Sequence, residues 1–322
     1  MNVNKARPPV PARDGVTPSK VWCPRGPWRT LDDFLLERFP HVSPALLRER
    51  LARGDILDGE GRVQQSGSHY QPDRWLWYFR MVEDERPVPF EMPILHADER
   101  LIAVDKPHFL ATTPGGRYLL ETALTRVRRH FGEDGISPLH RLDRETAGIL
   151  LFCRDPALRG AYQSLFQQGR VDKEYEAVAP FLDLPADGRT YASRMEEVPG
   201  LFVMREAEGE PNSLTHIVRE RDWVDEQGRR LALYRLRPHS GRKHQLRLHM
   251  SSLDAPILND VFYPELLPPR EADDFDQPLQ LLARHIAFID PVSGQERCFS
   301  SRRRLDRDEM APALPAAGAD RN

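Results

Sequence analysis

The sequence predicts an α+β protein, in which a mostly antiparallel sheet forms a large domain that follows a small N-terminal module. Three observations predict this class. Strand-like apolar segments dominate from residue 94 onward, with helical segments lying between them. Capping and turn signals indicate a compact α/β module over residues 28–80. An acidic, proline-rich linker over residues 81–93 separates the module from the large domain, which we place at residues 94–308.

The two ends of the chain lack a periodic apolar pattern. Residues 1–27 are rich in proline, and residues 309–322 are rich in alanine and proline. Segments of this kind bury too little apolar surface to offset the entropy of ordering. We therefore expect a flexible tail at each end.

Helix signals define the small module. Thr30 and Asp33 form a capping box at the start of one short helix. Ser43, followed by Pro44, is a good N-cap for a second helix, and Gly54 can end it. A strand-like run of aromatic and apolar residues closes the module near residue 79. From composition alone, the module is either a packing domain or an RNA-binding accessory domain.

Apolar patterns then predict the elements of the large domain. A hairpin is expected around residues 97–100, and a buried strand over residues 148–152. Asp155 and Pro156 are expected to cap a helix that ends at Gly169. Further strands are predicted over residues 171–178, 231–237 and 282–289.

Composition excludes several classes of protein. The 322 residues carry a formal net charge of −3, which excludes a globally basic coat protein but leaves room for a local basic patch. The apolar runs are too short for a membrane span. The three cysteines lie far apart, so the sequence predicts neither a zinc knuckle nor a disulfide framework. We expect a cytoplasmic protein that is a monomer and has no membrane association.

The first chemical motif surrounds Asp143, immediately before the predicted buried strand. Arg141 and Arg144 flank this carboxylate, and neighbouring cations favour its ionised form. An ionised carboxylate suits a nucleophile or a base acting on carbon, and suits a general acid poorly. The alternative is a surface loop with ordinary ion pairs.

The second motif is basic. Residues 234–249 contain five Lys or Arg, three His and no acid. A helix starting near Ser240 would present Lys243 and Arg247 to phosphate groups, although a solvated basic face would look the same. Tyr175, on a predicted strand, is either an ordinary sheet aromatic or a platform for a nucleobase.

The motifs of several cofactor and metal chemistries are missing from the sequence. It has no G-x-G-x-x-G after a strand, no phosphate-binding Walker loop and no G-x-S-x-G. His244 and His249 are five residues apart, which does not match a zinc-binding pair on one helical face. The sequence therefore gives no indication of these chemistries.

Three segments, in order, resemble the motifs of the RluA-type pseudouridine synthases. They are His140-Arg-Leu-Asp-Arg-Glu-Thr-Ala-Gly148, Lys173-Glu-Tyr-Glu-Ala177 and Gly241-Arg-Lys-His-Gln-Leu-Arg-Leu-His249. The resemblance extends from about residue 93 to residue 300 and implies the fold of that family. The module over residues 28–80 is similar to the small ribosomal-protein-type RNA-binding domain that often precedes the catalytic domain, in a degenerate form.

The resemblance implies an isomerase that converts uridine to pseudouridine in structured ribosomal or transfer RNA, with no cofactor and no metal. It makes Asp143 the catalytic carboxylate, paired with Arg247, with Arg242 as the second candidate for that ion pair. Tyr175 would pack against the flipped base. The implied route is either covalent addition of the carboxylate or removal of the 2′ proton.

The resemblance also implies residues that contact the RNA. Arg141 would enter the space that the flipped base leaves. His140, Arg242 and Lys243 are the other expected contacts. The competing hypotheses are a non-catalytic RNA-binding or ribosome-assembly protein on the same fold, and a nucleoside hydrolase, which would need a second carboxylate or a metal.

Overall fold

The computed structural model describes residues 8–80, 85–268 and 274–305. These residues divide into two compact units. The smaller unit comprises the described residues up to 85 together with residues 114–120 and 125–134. The larger unit comprises the remaining described residues.

In the smaller unit, two capped helices pack on a three-stranded antiparallel sheet. The helices are α1 (Leu31–Arg38) and α2 (Pro44–Ala52), and the strands are β1 (Ser19–Cys23), β2 (Ile56–Leu57) and β3 (Arg74–Tyr78), in the order β1-β3-β2. The side chain of Thr30 accepts from the backbone N–H of Asp33, and Ser43 caps α2 in the same way. Both predicted caps are confirmed. Apolar residues of both helices and all three strands share one core.

The expected flexible N-terminal tail over residues 1–27 is wrong for its last part. Strand β1 pairs along its whole length with β3, and Val21 and Cys23 are buried in the core of the unit. Prolines on either side of this short strand hid its alternating pattern. The expected C-terminal tail over residues 309–322 lies outside the described residues.

The large unit is built on an eleven-stranded sheet. Its strands are β4 (Ile94–Ala97), β5 (Leu101–Lys106), β6 (Ser137–Pro138), β7 (Ala147–Cys153), β8 (Val171–Pro180), β9 (Arg189–Glu197), β10 (Met204–Ala207), β11 (Ser213–Val224), β12 (Arg230–Pro238), β13 (Leu281–Ile289) and β14 (Glu296–Ser300). Nine of them run in the order β10-β9-β11-β12-β8-β13-β7-β5-β4, while β14 pairs with β13 and β6 with β7. Among the strands described, only β7 and β13 pair in parallel. The predicted mostly antiparallel α+β class is confirmed.

The helices differ in detail from the expectation. Helix α3 (Ala123–Phe131) falls mainly in the smaller unit, where Arg129 Nε donates to the backbone oxygen of Asp14. Helix α4 (Arg159–Gln167) begins later than predicted, because Asp155 caps a preceding turn through the N–H of Ala157 instead. None of the helices in the described ranges has the length and apolar character that a membrane crossing requires.

Helix α5 (Gln245–Ser252) also begins later than the sequence suggested. His244, at its N-cap, adopts a left-handed conformation with φ of 56°. Residues 240–243 therefore form a loop, and α5 turns Leu246 and Met250 into a core shared with β8 and β12. Arg247 is buried with them instead of facing phosphate groups in solvent.

Candidate active site

Asp143 lies in a loop whose backbone is fixed by side-chain hydrogen bonds to the residues on either side of Asp143. Thr112 Oγ1 donates to the carbonyl of Leu142 over 2.7 Å and accepts from the N–H of the same residue over 3.1 Å. The buried Lys106 Nζ donates to the carbonyl of Arg144 over 3.2 Å. These contacts on both sides hold Asp143, whose side chain is 29% exposed.

The strand that follows this loop requires a glycine. Gly148 has a φ of 110°, and a Cβ added there would lie 2.2 Å from the backbone oxygen of Ala283. The parallel pairing of β7 with β13 brings the two backbones this close. Gly148 thus permits the strand pairing that fixes the position of β7, the strand that follows the loop of Asp143.

Arg247 joins Asp143 to a second, buried carboxylate. Its Nη1 donates to Asp143 Oδ2 over 3.2 Å, while Nε and Nη2 donate to the two oxygens of Asp260 over 2.8 and 2.5 Å. Burial lowers the pKa of the Arg247 guanidinium, but its hydrogen bonds and charge interactions with Asp260 and Asp143 outweigh that effect and raise it. The guanidinium is therefore a permanent cation beside Asp143.

Asp260 is a site residue that the sequence reasoning did not select. Its side chain is fully buried, and its Oδ1 also accepts from the backbone N–H of Phe262 over 2.8 Å. The signal was indirect: a buried arginine in an acid-free basic segment needs a carboxylate from elsewhere in the chain. Asp260 supplies it.

Tyr175 is half-buried on β8 and packs against the core cluster that includes α5. Burial raises the pKa of its hydroxyl, and the charge of Asp143 raises it further. The hydroxyl makes no hydrogen bond to any residue that the structure describes. Tyr175 is thus a neutral ring within electrostatic range of Asp143.

His140 supports the loop of Asp143 from within the fold. Its Nε2 accepts from the backbone N–H of Leu151 over 3.2 Å, and its ring stacks on Phe166 at 4.9 Å between centroids. Burial lowers the pKa of His140 to about 3, so the ring is neutral. This position favours a structural role over the expected contact with RNA.

The remaining predicted cations occupy different environments. Arg141 is exposed and has no charged or hydrogen-bonded partner within the described ranges. Arg242 donates from Nε to the backbone oxygen of Asn212, so Arg247, and not Arg242, pairs with Asp143. Lys243 Nζ lies 3.7 Å from the ring centroid of Phe202, which is 63% exposed.

This arrangement limits the chemistry available at Asp143. The carboxylate receives one hydrogen bond from a permanent cation, and part of it remains open to solvent. The chemistry open to such a carboxylate is nucleophilic attack or removal of a proton from carbon. No group of His, Cys, Asp or Glu side chains suited to hold a metal occurs in the described part of the chain.

Several known proteins are similar to this chain in sequence. A family model described as RNA pseudouridylate synthase matches residues 100–252. The dual-specificity RNA pseudouridine synthase RluA of Vibrio vulnificus is 30% identical over 209 residues, covering 62% of this chain and 78% of that protein. An uncharacterised RNA pseudouridine synthase of Synechocystis is 29% identical over 239 residues, covering 72% of this chain and 78% of that protein.

A solved structure supports the fold. The human RNA pseudouridylate synthase domain containing 1 superposes with a TM-score of 0.54, covering 67% of this chain and 86% of that one. At 23% identity this likeness concerns the fold alone.

Proposed function

The chain belongs to the RluA-type RNA pseudouridine synthases, and on that premise we propose that Asp143 is the carboxylate with which it isomerises specific uridines of ribosomal or transfer RNA. The reaction breaks the N1–C1′ bond of a uridine, turns the freed base and joins C5 to C1′. It involves neither net hydrolysis nor a redox change. The site must therefore hold the detached uracil and keep water away from C1′.

The proposed role of Asp143 rests on one observation, its contact with the buried guanidinium of Arg247. Asp260 holds the same guanidinium through other nitrogens. The contact with Asp143 places a cation beside the carboxylate and fixes the direction of one of its oxygens. Covalent addition and removal of the 2′ proton both start from an ionised, oriented carboxylate. The geometry thus supports either route.

Tyr175 has the properties of a surface on which the flipped uracil packs. Its half-buried ring offers a face, and its raised hydroxyl pKa keeps it neutral. A nucleobase stacked on an aromatic ring gains about 1–3 kcal/mol. This gain offsets part of the few kcal/mol that flipping a stacked base costs.

Arg141 supports a second part of the proposal. Its exposed guanidinium lies two residues from Asp143 and is not engaged elsewhere in the described structure. A planar guanidinium can stack where the flipped base was. We further propose that Arg242 and Lys243 contact phosphates of the RNA. The cytoplasmic location and the monomeric state remain predictions from the sequence.

The alternative, a non-catalytic RNA-binding or ribosome-assembly protein, is not favoured. The matching family and the relatives named above are synthases. Binding alone would also give no reason for a buried cation shared between Asp143 and Asp260.

We predict that Asp143→Asn abolishes isomerisation and leaves RNA binding intact. The change removes the charge and keeps the shape of the side chain, so only the chemistry should be lost. The measurement is release of tritium from C5 of uridine in RNA from cells that lack the gene, together with binding of the same RNA. Asp172→Asn, at an exposed carboxylate on β8, is the matched control. Near-normal turnover of the Asp143 variant would remove the residue from the mechanism.

A further inference from the structure

His244 is buried in a backbone conformation that is uncommon for a residue other than glycine. It is 3% exposed and lies at the N-cap of α5 in the left-handed conformation. Its ring is 5.1 Å from that of Phe262 and 5.4 Å from that of Phe202, between centroids. An uncommon backbone conformation and aromatic neighbours together hold the imidazole in one orientation.

One nitrogen of this ring has no partner. Nε2 is buried without a hydrogen bond in the described structure, and the carboxylate oxygen Oδ2 of Asp143 lies 3.9 Å from it. A buried polar atom without a partner is destabilising, because it has lost its hydrogen bonds to water. His249, on the same helix, differs: both of its ring nitrogens are hydrogen-bonded, to Ser213 and Thr215.

The partner of Nδ1 indicates which nitrogen carries the proton. Nδ1 lies 3.1 Å from the hydroxyl of Tyr263, and that hydroxyl accepts from the N–H of Met204 over 2.8 Å. The hydroxyl has a single proton, and its contact with Nδ1 is shorter than its 3.3 Å contact with the carbonyl of Met204. If Tyr263 donates to Nδ1, the proton of the neutral ring is on Nε2.

The surroundings of Nε2 agree with this tautomer. Burial lowers the pKa of His244 to about 4, so the ring is neutral and carries one proton at neutral pH. A bare nitrogen lone pair facing the Asp143 carboxylate would be repelled, whereas an N–H is attracted. The other oxygen of Asp143, Oδ1, accepts no hydrogen bond from the residues described.

We propose that His244 is a positioning residue, which donates from Nε2 to Asp143 Oδ2 when RNA closes the 3.9 Å gap and so leaves Oδ1 directed at the nucleoside. Two donors, Arg247 and His244, then hold one carboxylate oxygen. Hydrogen bonds at active sites are often long in the free enzyme and shorten in the complex. The inference rests on the proposed role of Asp143.

Two amide variants separate the two ring nitrogens. In His244→Gln the amide nitrogen can reach the place of Nε2, and in His244→Asn it reaches only that of Nδ1. Asparagine tolerates the left-handed backbone better than glutamine, so a purely structural role favours the Asn variant. We expect the Gln variant to keep a single-turnover rate near that of wild type. The Asn and Phe variants should lose roughly 100-fold, with unchanged affinity for RNA.

The rates are measured with excess enzyme on the same tritium-labelled RNA, and binding is measured separately. His249→Gln is the control, since it should change stability but not the rate per folded molecule. Equal rates for the Gln and Asn variants, or a wild-type rate for the Phe variant, would overturn the proposal.

A second readout does not depend on activity. The ¹⁵N chemical shifts of the His244 ring report which nitrogen is protonated, and we expect Nε2. Protonation at Nδ1 overturns the proposal even if the enzyme proves inactive. If Asp143→Asn is inactive while every His244 variant is normal, only the inference about His244 fails. If wild-type protein forms no pseudouridine, the proposed function fails, and the inference that rests on it fails with it.

Discussion

At the scale of single residues, the site depends on one guanidinium shared by two carboxylates. Asp260 takes two of the donors of Arg247 and leaves Nη1 for Asp143. Asp260 itself has no solvent exposure, so it orients Arg247 without being available to a polynucleotide. A change at Asp260 should therefore reach Asp143 through Arg247.

We expect Asp260→Asn to lower both stability and turnover. The amide cannot accept both hydrogen bonds, and Arg247 loses most of its buried counter-charge, at a cost of about 3 kcal/mol. The loosened Arg247 no longer fixes Asp143, which should reduce the rate roughly 100-fold. Urea unfolding and single-turnover kinetics measure the two effects. Asp254→Asn, at an exposed acid, is the control. Unchanged turnover would show that Asp260 serves stability alone.

The sequence identified some of these residues and not others, for physical reasons. Resemblance pointed to Asp143, Tyr175 and Arg247, but no spacing rule could predict a contact across 104 positions. Asp260 was missed because an acid in a turn looks like any surface acid until its burial is known. His244 was missed because no sequence pattern predicts a left-handed backbone conformation at a residue other than glycine.

At the scale of elements, the position of β7 decides where Asp143 lies. This strand is buried along its length and runs antiparallel to β5 and parallel to β13. Its continuous apolar run allowed the sequence to predict it as a buried strand. The strand β9 was missed because its nine residues include charged side chains at both ends and little alternation.

We expect Gly148→Ala to destabilise the large unit by about 2 kcal/mol or more, since the added Cβ meets the Ala283 backbone at a φ that alanine avoids. Thermal or urea unfolding measures the loss. Gly160→Ala, on the exposed face of α4 with open space around it, is the matched control and should gain up to ~1 kcal/mol. Equal stability of the two variants would contradict the assigned role of Gly148.

At the scale of the molecule, four buried or half-buried histidines that are neutral link the stability of the large unit to pH. Burial lowers the pKa of His108, His244 and His249 to about 4 and that of His140 to about 3. Below the ordinary value of 6.5, the unfolded chain binds protons that the native protein does not. Stability is thus complete above pH 6.5 and declines as the pH falls toward 4.

We expect a slope of about 1.4 kcal/mol per pH unit for each of these histidines in that window. Urea unfolding between pH 7 and pH 4 measures it. His249→Gln should reduce the slope by one histidine's share, and His41→Gln, at an exposed ring, is the control. A stability independent of pH in this range would contradict the neutral state of these rings in the native protein.

The pairing of β1 with β3 has a practical consequence for anyone who expresses the small module by itself. A fragment that starts at residue 28, where the helix signals of the module begin, would lack β1. The central strand β3 would then become an exposed edge strand. Leu76, which is fully buried in the intact unit, would lie on this exposed edge strand. Unsatisfied backbone groups beside apolar side chains invite self-association, so a usable truncation should start before residue 19.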